Sequence, residues 1–255
     1  MESSSITTLP HAKSRLVKHG SYVMTATVHL DRFASEAGRS LRSGTRMLDA
    51  GAGDSPYRQH FQHVVYEAAD SCTRPQHKYE YVHYKCNLTS IPVESERYDL
   101  VLCTQVLEHV PHPLILLREL HRVLKPDGKL WISAPLMFEE HEVPYDFYRY
   151  TQYGWKFMMH DAGFNIERIE WVQGYFGTLA YQFNNARRWL PWRPADYGGG
   201  VRGLFGATIT LFARPALLLL AWMFTNLDLR HKYTKSGHCL DYCVVASKQS
   251  PKDIS

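Results

Sequence analysis

The chain has 255 residues, 45% of them apolar and 21% charged, the balance of a globular protein long enough for one large domain or one domain with a substantial insert. A formal charge of +4 is too mild for a dedicated nucleic-acid binder. Cys72, Cys86, Cys103, Cys239 and Cys243 are odd in number and sit mostly in apolar runs, which excludes a closed disulfide framework and suits free thiols in a reducing compartment. The opening MESSSITTLPHAKSRLVKHG carries no apolar stretch of signal-peptide type, so the cytoplasm is the expected location.

Residues 11–42 carry Leu30, Phe33, Ala34, Ala37 and Leu41 at helical spacing and predict a helix. Arg46–Ala50 predicts a short buried strand, and strands are expected again over 64–69, 79–84 and 98–103. An amphipathic helix over 113–124, with Leu116, Leu117, Leu120 and Leu124, is stopped by Lys125-Pro126-Asp127-Gly128, read as a terminal signal and turn. A strand over 129–134, a helix over 151–162 capped by Gly163, and strands over 166–172 and 240–247 complete the pattern. Strands alternating with helices of this length predict a doubly wound, mainly parallel α/β sheet.

Residues 174–235 are too long for a connection in such a domain. They hold eight Lys and Arg residues against Asp196 and Asp228, with Trp189, Trp192 and Trp222 among them. Within this insert, 204–227 is strongly apolar but interrupted by Arg214-Pro215, and a charge at mid-membrane costs about 2.5–3.5 kcal/mol. Four readings stay open: a cap over the substrate pocket, a homodimer contact, an interfacial helix pair on anionic lipid at the inner membrane surface, and a transmembrane hairpin.

In an open α/β sheet the ligand sits beyond the carboxyl ends of the strands, which directs attention to Gly51-Ala52-Gly53-Asp54-Ser55-Pro56. Gly51 and Gly53 permit a tight turn and close backbone approach. Pro56 stands where a dinucleotide fingerprint needs its third glycine, and no Gly-Lys-Ser/Thr follows to cradle phosphates. Asp49 repels a pyrophosphate and suits a cation or amino group. Asp70, at the tip of the next strand, suits ribose hydroxyls, with Glu67 as its competitor. A nucleoside joined to a positively charged, amino-bearing group is S-adenosylmethionine.

Leu48-Asp49-Ala50-Gly51-Ala52-Gly53 and Asp70 resemble the first two motifs of the class I S-adenosylmethionine-dependent methyltransferases. The stretches 98–110 (YDLVLCTQVLEHV) and 118–130 (RELHRVLKPDGKL) resemble the later ones, and the whole is most similar to the small-molecule branch, the ubiquinone and sterol type. This resemblance implies a seven-stranded Rossmann-like sheet with an antiparallel last strand. It implies a core from 45–173 and 236–248, an N-terminal helical lid over 1–44, the insert at 174–235, and S-adenosylmethionine as cofactor. Carried over by position, Asp49, Gly51 and Gly53 line the methionine end and Asp70 the ribose. Asn87 and Leu88 stand at the adenine, where Asn87 replaces a more usual Asp. Cys103, Thr104 and Gln105 touch the methionine portion, largely by backbone.

Methyl transfer is an in-line displacement at a sulfonium carbon, requiring a positioned nucleophile and often a base. His109 is a candidate base, the alternative being that Glu108-His109 caps the next helix. The segment 139–151 gathers His141, Glu142, Asp146, Tyr148, Arg149 and Tyr150. His141 or Asp146 reads as base or orienting group, and Glu142, Tyr148, Arg149 and Tyr150, with Tyr22 of the lid, as acceptor contacts. The alternative is a loop latched by an Asp146–Arg149 pair. No metal is expected. The expected acceptor is a small molecule, a glycan or a lipid-linked intermediate, methylated at oxygen or nitrogen. Against a nucleic-acid or protein methyltransferase stands the lack of an Asn/Asp-Pro-Pro-Tyr-like motif. A non-catalytic cofactor-binding scaffold is the other alternative: intact Asp49, Gly51, Gly53 and Asp70 speak against loss of binding and leave loss of chemistry open.

Overall fold

The structure is a computed structural model that describes residues 18–19 and 22–249. The chain divides into two compact units. The larger comprises His29–Val172 with the chain from Cys239 onward, and the smaller comprises Gln173–His238 with the chain up to Val28.

The larger unit is built on a seven-stranded sheet, with β3 (Arg46–Ala50), β4 (Val65–Asp70), β5 (Tyr84–Lys85), β6 (Tyr98–Thr104), β7 (Leu124–Pro135), β8 (Phe164–Trp171) and β9 (Asp241–Lys248) in the order β5-β4-β3-β6-β7-β9-β8. Two short strands, β1 (Lys18–His19) and β2 (Tyr22–Val23), precede α1 (Thr25–Ser40). β3 pairs parallel with both β4 and β6, and β6 parallel with β7, whereas β9 runs antiparallel to β7 and β8. The order reverses between β3 and β6, so a crevice opens beyond Ala50 and Thr104, where such sheets bind ligands. Met47, Leu48, Leu100, Val101, Leu102, Leu130 and Ile132 are buried, as central strands covered on both faces require. Helix α2 (Pro113–Val123) buries Leu116, Leu117, Leu120 and Val123 as its spacing predicts, and α3 (Gln152–Asp161) is capped by Thr151 and followed by Gly163 at φ +84°.

Three expectations are corrected. The helix expected over 11–42 begins only at Thr25, because Tyr22-Val23, an aromatic and a β-branched residue, take extended backbone and pair with Lys18–His19. Residues 11–17, Gly20 and Ser21 lie outside the described residues. The strand expected over 79–84 shrinks to Tyr84–Lys85, with Tyr79 in the left-handed region at φ +54°. Lys125-Pro126-Asp127-Gly128 is not a turn ahead of a strand but lies inside β7. There the register slips between Tyr98 and Leu100, and Asp127 takes φ +61°.

The smaller unit holds α4 (Tyr175–Trp189) and α5 (Gly200–Arg230), which pack through Ala180 and Ala221 and through Phe224 stacked on Phe176 and Phe183. Buried Asp228 accepts from the N–H of Gly174 at 2.9 Å, at the start of α4, where its charge complements the helix dipole. Arg214 does not interrupt the apolar helix. Its guanidinium reaches back to the carbonyls of Arg187 (3.1 Å) and Arg188 (3.3 Å) and satisfies the end of α4.

Candidate active site

The loop after β3 is tied to β4 through Gly51 N–H to Ala69 O at 2.8 Å and Ala52 N–H to the same oxygen at 3.2 Å. Gly51, at φ +80°, has no room for a side chain, since an added Cβ would meet Val106 at 2.3 Å. Gly53, at φ +51°, donates its N–H to Asp70 Oδ2 at 2.9 Å, and Cys72 N–H donates to Asp70 Oδ1 at 2.8 Å. The Asp70 carboxylate is therefore fixed at the tip of β4, with lone pairs left for a diol. Asp49 is 2% exposed and accepts from Tyr66 Oη at 2.6 Å. Burial pushes its pKa up to about 6, opposed by the Tyr66 bond and aided by the nearby Asp70 charge. A buried carboxylate with a second carboxylate nearby favours a cation. The ammonium and sulfonium of S-adenosylmethionine meet that demand, and its ribose diol matches Asp70.

The competitor Glu67 is spent elsewhere. It lies mid-strand and accepts from Arg97, Arg46, Tyr84 and Tyr98, at the amino-terminal side of the sheet. Asn87 turns its carbonyl oxygen onto Thr89 N (3.0 Å) and Thr89 Oγ1 (2.9 Å), and Leu88 is buried in the core. The Cys103 side chain is buried and its thiol is pushed up by burial, so only its backbone is available to a ligand. Gln105, at φ +56°, donates its backbone N–H to Ser133 O at 3.0 Å and its amide to Ser133 Oγ at 3.2 Å. Sequence reasoning missed Tyr57 and Tyr66. Burial and the nearby Asp49 charge push the Tyr57 phenol up, and Tyr66 holds Asp49. The alternation of β4 puts Tyr66 and Asp70 on one face, a signal that was present.

The acceptor side is assembled from residues 107–150. His109 Nδ1 bonds Tyr145 O at 2.6 Å, so Nδ1 carries the hydrogen and Nε2 presents the lone pair. Burial lowers the His109 pKa, which keeps the ring neutral near pH 7. Neither Glu108 nor His109 caps α2, whose N-terminal residue His112 makes no side-chain cap. Glu142, at φ +55°, pairs with Arg74 and places Oε2 3.3 Å from His109 Nε2.

The remaining candidates turn inward, and three expectations change. Asp146 receives two 2.7 Å bonds from Arg149 and the His141 N–H at 2.8 Å. The Arg149 guanidinium holds the Asp146 carboxyl well below the usual carboxylate range, which makes it a latch and a poor base. Arg149 directs its five donors to Phe138 O, Glu139 O, Tyr148 O and both Asp146 oxygens, leaving none for an acceptor. Tyr150 is buried and donates to Leu107 O at 2.9 Å. Tyr148, exposed, donates to Pro111 O at 3.0 Å. Tyr22 belongs to β2, where its backbone pairs with His19.

A family model described as "Methyltransferase domain" matches residues 22–169, more than half of the chain. A ubiquinone biosynthesis O-methyltransferase of Haemophilus ducreyi is 30% identical over 107 residues, covering 36% of this chain and 45% of that protein. Another, from Pseudomonas syringae, is 45% identical over 39 residues, 15% of this chain and 17% of that protein. The alignments thus span less than half the length of these curated relatives. Among solved structures, the phosphoethanolamine N-methyltransferase 2 of Haemonchus contortus in complex with S-adenosyl-L-methionine superposes with a TM-score of 0.52 at 17% identity, over 88% of this chain and 52% of that one. A Bacillus halodurans protein assigned as a methyltransferase gives 0.52 at 15% identity, over 86% and 99%. With the switch-point loop and its buried acid, these matches place the chain in the methyltransferase-domain family, on the fold of the class I S-adenosylmethionine-dependent methyltransferases.

Proposed function

We propose that the chain methylates an oxygen or nitrogen of a small, glycan-borne or lipid-linked acceptor at the carboxyl edge of its sheet. The observation that carries this reading is the neutral His109, locked by Tyr145 O with its Nε2 3.3 Å from Glu142 Oε2, on the loop that follows β6. On this reading Asp49, Gly51, Gly53 and Asp70 hold the donor, assisted by the backbone of Cys103–Gln105. His109 accepts the acceptor's proton, His141 lines the same edge, and Asp146 and Arg149 hold the loop that carries them. The donor supplies an electrophilic methyl group. The chain's part is to align the acceptor with it and to take up one proton. The names of the curated relatives favour oxygen as the acceptor atom.

The test is a labelled-methyl assay with cell extracts. Label is expected in a small-molecule or lipid fraction, and His109→Ala is expected to lower turnover by about 10²–10⁴-fold. Label in RNA or protein would overturn the acceptor class. Absence of adenosylhomocysteine with every extract would favour the scaffold.

The lipid-linked option draws support from α5. This helix of 31 residues, about 46 Å long, buries only Gly203, Thr210, Ala221, Thr225 and Asp228. Leu204, Phe205, Leu211, Phe212, Leu219 and Trp222 are all exposed. Exposed Trp189 and Trp192 and a surplus of Arg and Lys flank it. A second copy would bring the same positive charge to the contact, whereas an anionic bilayer complements it. Flotation with anionic liposomes is expected to carry the protein upward at low salt, and Phe205→Glu with Phe212→Glu to abolish this. A dimer that sediments free of lipid would refute the bilayer assignment.

A further inference from the structure

We propose that Glu108, His109 and His141 form a binding site for a divalent transition metal of the zinc class. One ligand atom from each of these residues lies within 4.8 Å of the others. Tetrahedral coordination at about 2.0–2.2 Å sets ligand atoms roughly 3.4 Å apart, so small side-chain rotations close the set.

Two independent features point to a ligand. The first is Glu108, fully buried, with neither carboxylate oxygen hydrogen-bonded, and with His109 Nε2 3.8 Å away. A buried carboxyl in that state is costly unless something positive meets it.

The second is the orientation of both imidazoles. His109 Nδ1 donates to Tyr145 O at 2.6 Å. His141 Nδ1 donates to Glu139 O at 3.1 Å and stands 3.4 Å from Asp146 Oδ2. A carbonyl can only accept, so both Nδ1 atoms carry hydrogens, and the neutral form of each ring has its lone pair on Nε2. The rings meet edge to face with centroids 4.8 Å apart. Metal-bound histidines are held in this way, by a carbonyl or carboxylate on the far nitrogen. Asp146, itself fixed by Arg149, completes a carboxylate–histidine pair behind His141. Asp146 and Arg149, sought as catalytic or acceptor residues, thus find a role as supports of the ligand set.

Two imidazoles and one carboxylate favour zinc, cobalt or iron over magnesium and calcium, which prefer oxygen. Three protein ligands leave a coordination position open. On the acceptor side proposed above, an acceptor oxygen would occupy it and lose its proton more readily; in that metal-bound form His109 Nε2 is a ligand rather than the base, and the proton would pass to solvent. The inference rests on that reading for its purpose but not for its test.

The test is metal binding by the full-length chain, stripped with chelator and titrated with Co²⁺ and Zn²⁺. One equivalent of Co²⁺ is expected, with the visible bands of a low-coordinate nitrogen–oxygen site. Glu108→Gln and His141→Ala should each weaken binding at least 10-fold, with Asp146→Asn doing so through His141. S-adenosylmethionine affinity should stay within about threefold in folded variants, which separates this proposal from that of the donor site. Where a variant fails to fold, His141→Gln replaces it. No binding at micromolar free metal, or binding indifferent to Glu108→Gln and His141→Ala, overturns the proposal. Metal binding without methyl transfer to any acceptor leaves the site standing and defeats the functional reading instead.

Discussion

Asp49→Asn is expected to raise the thermal stability of the cofactor-free protein while abolishing its stabilisation by S-adenosylmethionine. The carboxyl is 2% exposed and its pKa stands at about 6 in the folded chain against 3.8 for a free aspartate. A folded pKa above the unfolded one means that the ionised form opposes folding. The penalty is absent below the unfolded value and fully present above the folded one. Two units correspond to about 3 kcal/mol, which the neutral amide removes at pH 7. Ligand binding responds in the opposite direction. Leaving a buried cation without its partner costs about 2–5 kcal/mol, a loss of roughly 30-fold or more in affinity. Wild-type affinity should be flat above pH 7 and fall about tenfold per unit once the pH drops below 6, with proton release on binding near pH 6. The Asn variant should show a flat profile. Calorimetry across pH 5–8 in buffers of different ionisation enthalpy measures all of this. An Asn variant that melts lower and still binds the cofactor with wild-type affinity would remove Asp49 from the donor site.

That balance, stability given up for a ligand, explains why the loop after β3 was so legible in the sequence. A buried acid followed by two glycines has few structural uses, and the geometry it demands is local. Gly51 is dictated by Val106 and by a positive φ, and Asp70 by the backbone N–H groups of Cys72, two residues on, and of Gly53 in the glycine loop itself. The strands were legible for a similar reason, since an apolar run such as Tyr98–Cys103 fits little else than a covered strand. The segment 139–151 was not. A cluster of His, Asp, Arg and Tyr looks the same in sequence whether its donors point to a substrate or to its own carbonyls. Arg149 resolves this only in three dimensions, where all five donors find partners within the chain. Glu108 was overlooked for the converse reason. Its neighbour His109 carried the expected chemistry, and nothing in the sequence signals that a carboxyl has been buried without a partner. In the insert, Arg214 reads as a break in an apolar run, yet it serves as the C-terminal cap of α4, a partner 27 residues away.

Glu67 is expected to govern the acid stability of the larger unit. Arg97 grips it in a fork, Nε to Oε2 at 3.0 Å and Nη2 to Oε1 at 2.7 Å. Tyr98 (2.6 Å) and Tyr84 (3.1 Å) donate to Oε2, and Arg46 donates to Oε1 at 3.2 Å. One carboxylate thereby ties β4 to residues on β3, β5 and β6. The Arg97 bonds, reinforced by those of Tyr98 and Tyr84, outweigh desolvation and hold its pKa at about 2 against 4.5 for a free glutamate. Here the folded pKa is depressed, so the stabilisation is complete above the unfolded value and is lost as the pH falls from about 4.5 towards 2. The shift corresponds to about 3 kcal/mol at neutral pH. Glu67→Gln keeps the shape and removes the charge, so at pH 7 it should lower the melting temperature by about 6–12 °C. Between pH 5 and 3 the wild type should lose stability and converge on the variant. Other carboxylates also titrate in this window, but they do so in both proteins, and the difference between the two curves isolates Glu67. S-adenosylmethionine affinity at neutral pH should remain unchanged in the folded variant, because Glu67 lies away from the carboxyl edge. A variant that loses the cofactor while keeping its melting temperature would return Glu67 to the ribose and displace Asp70.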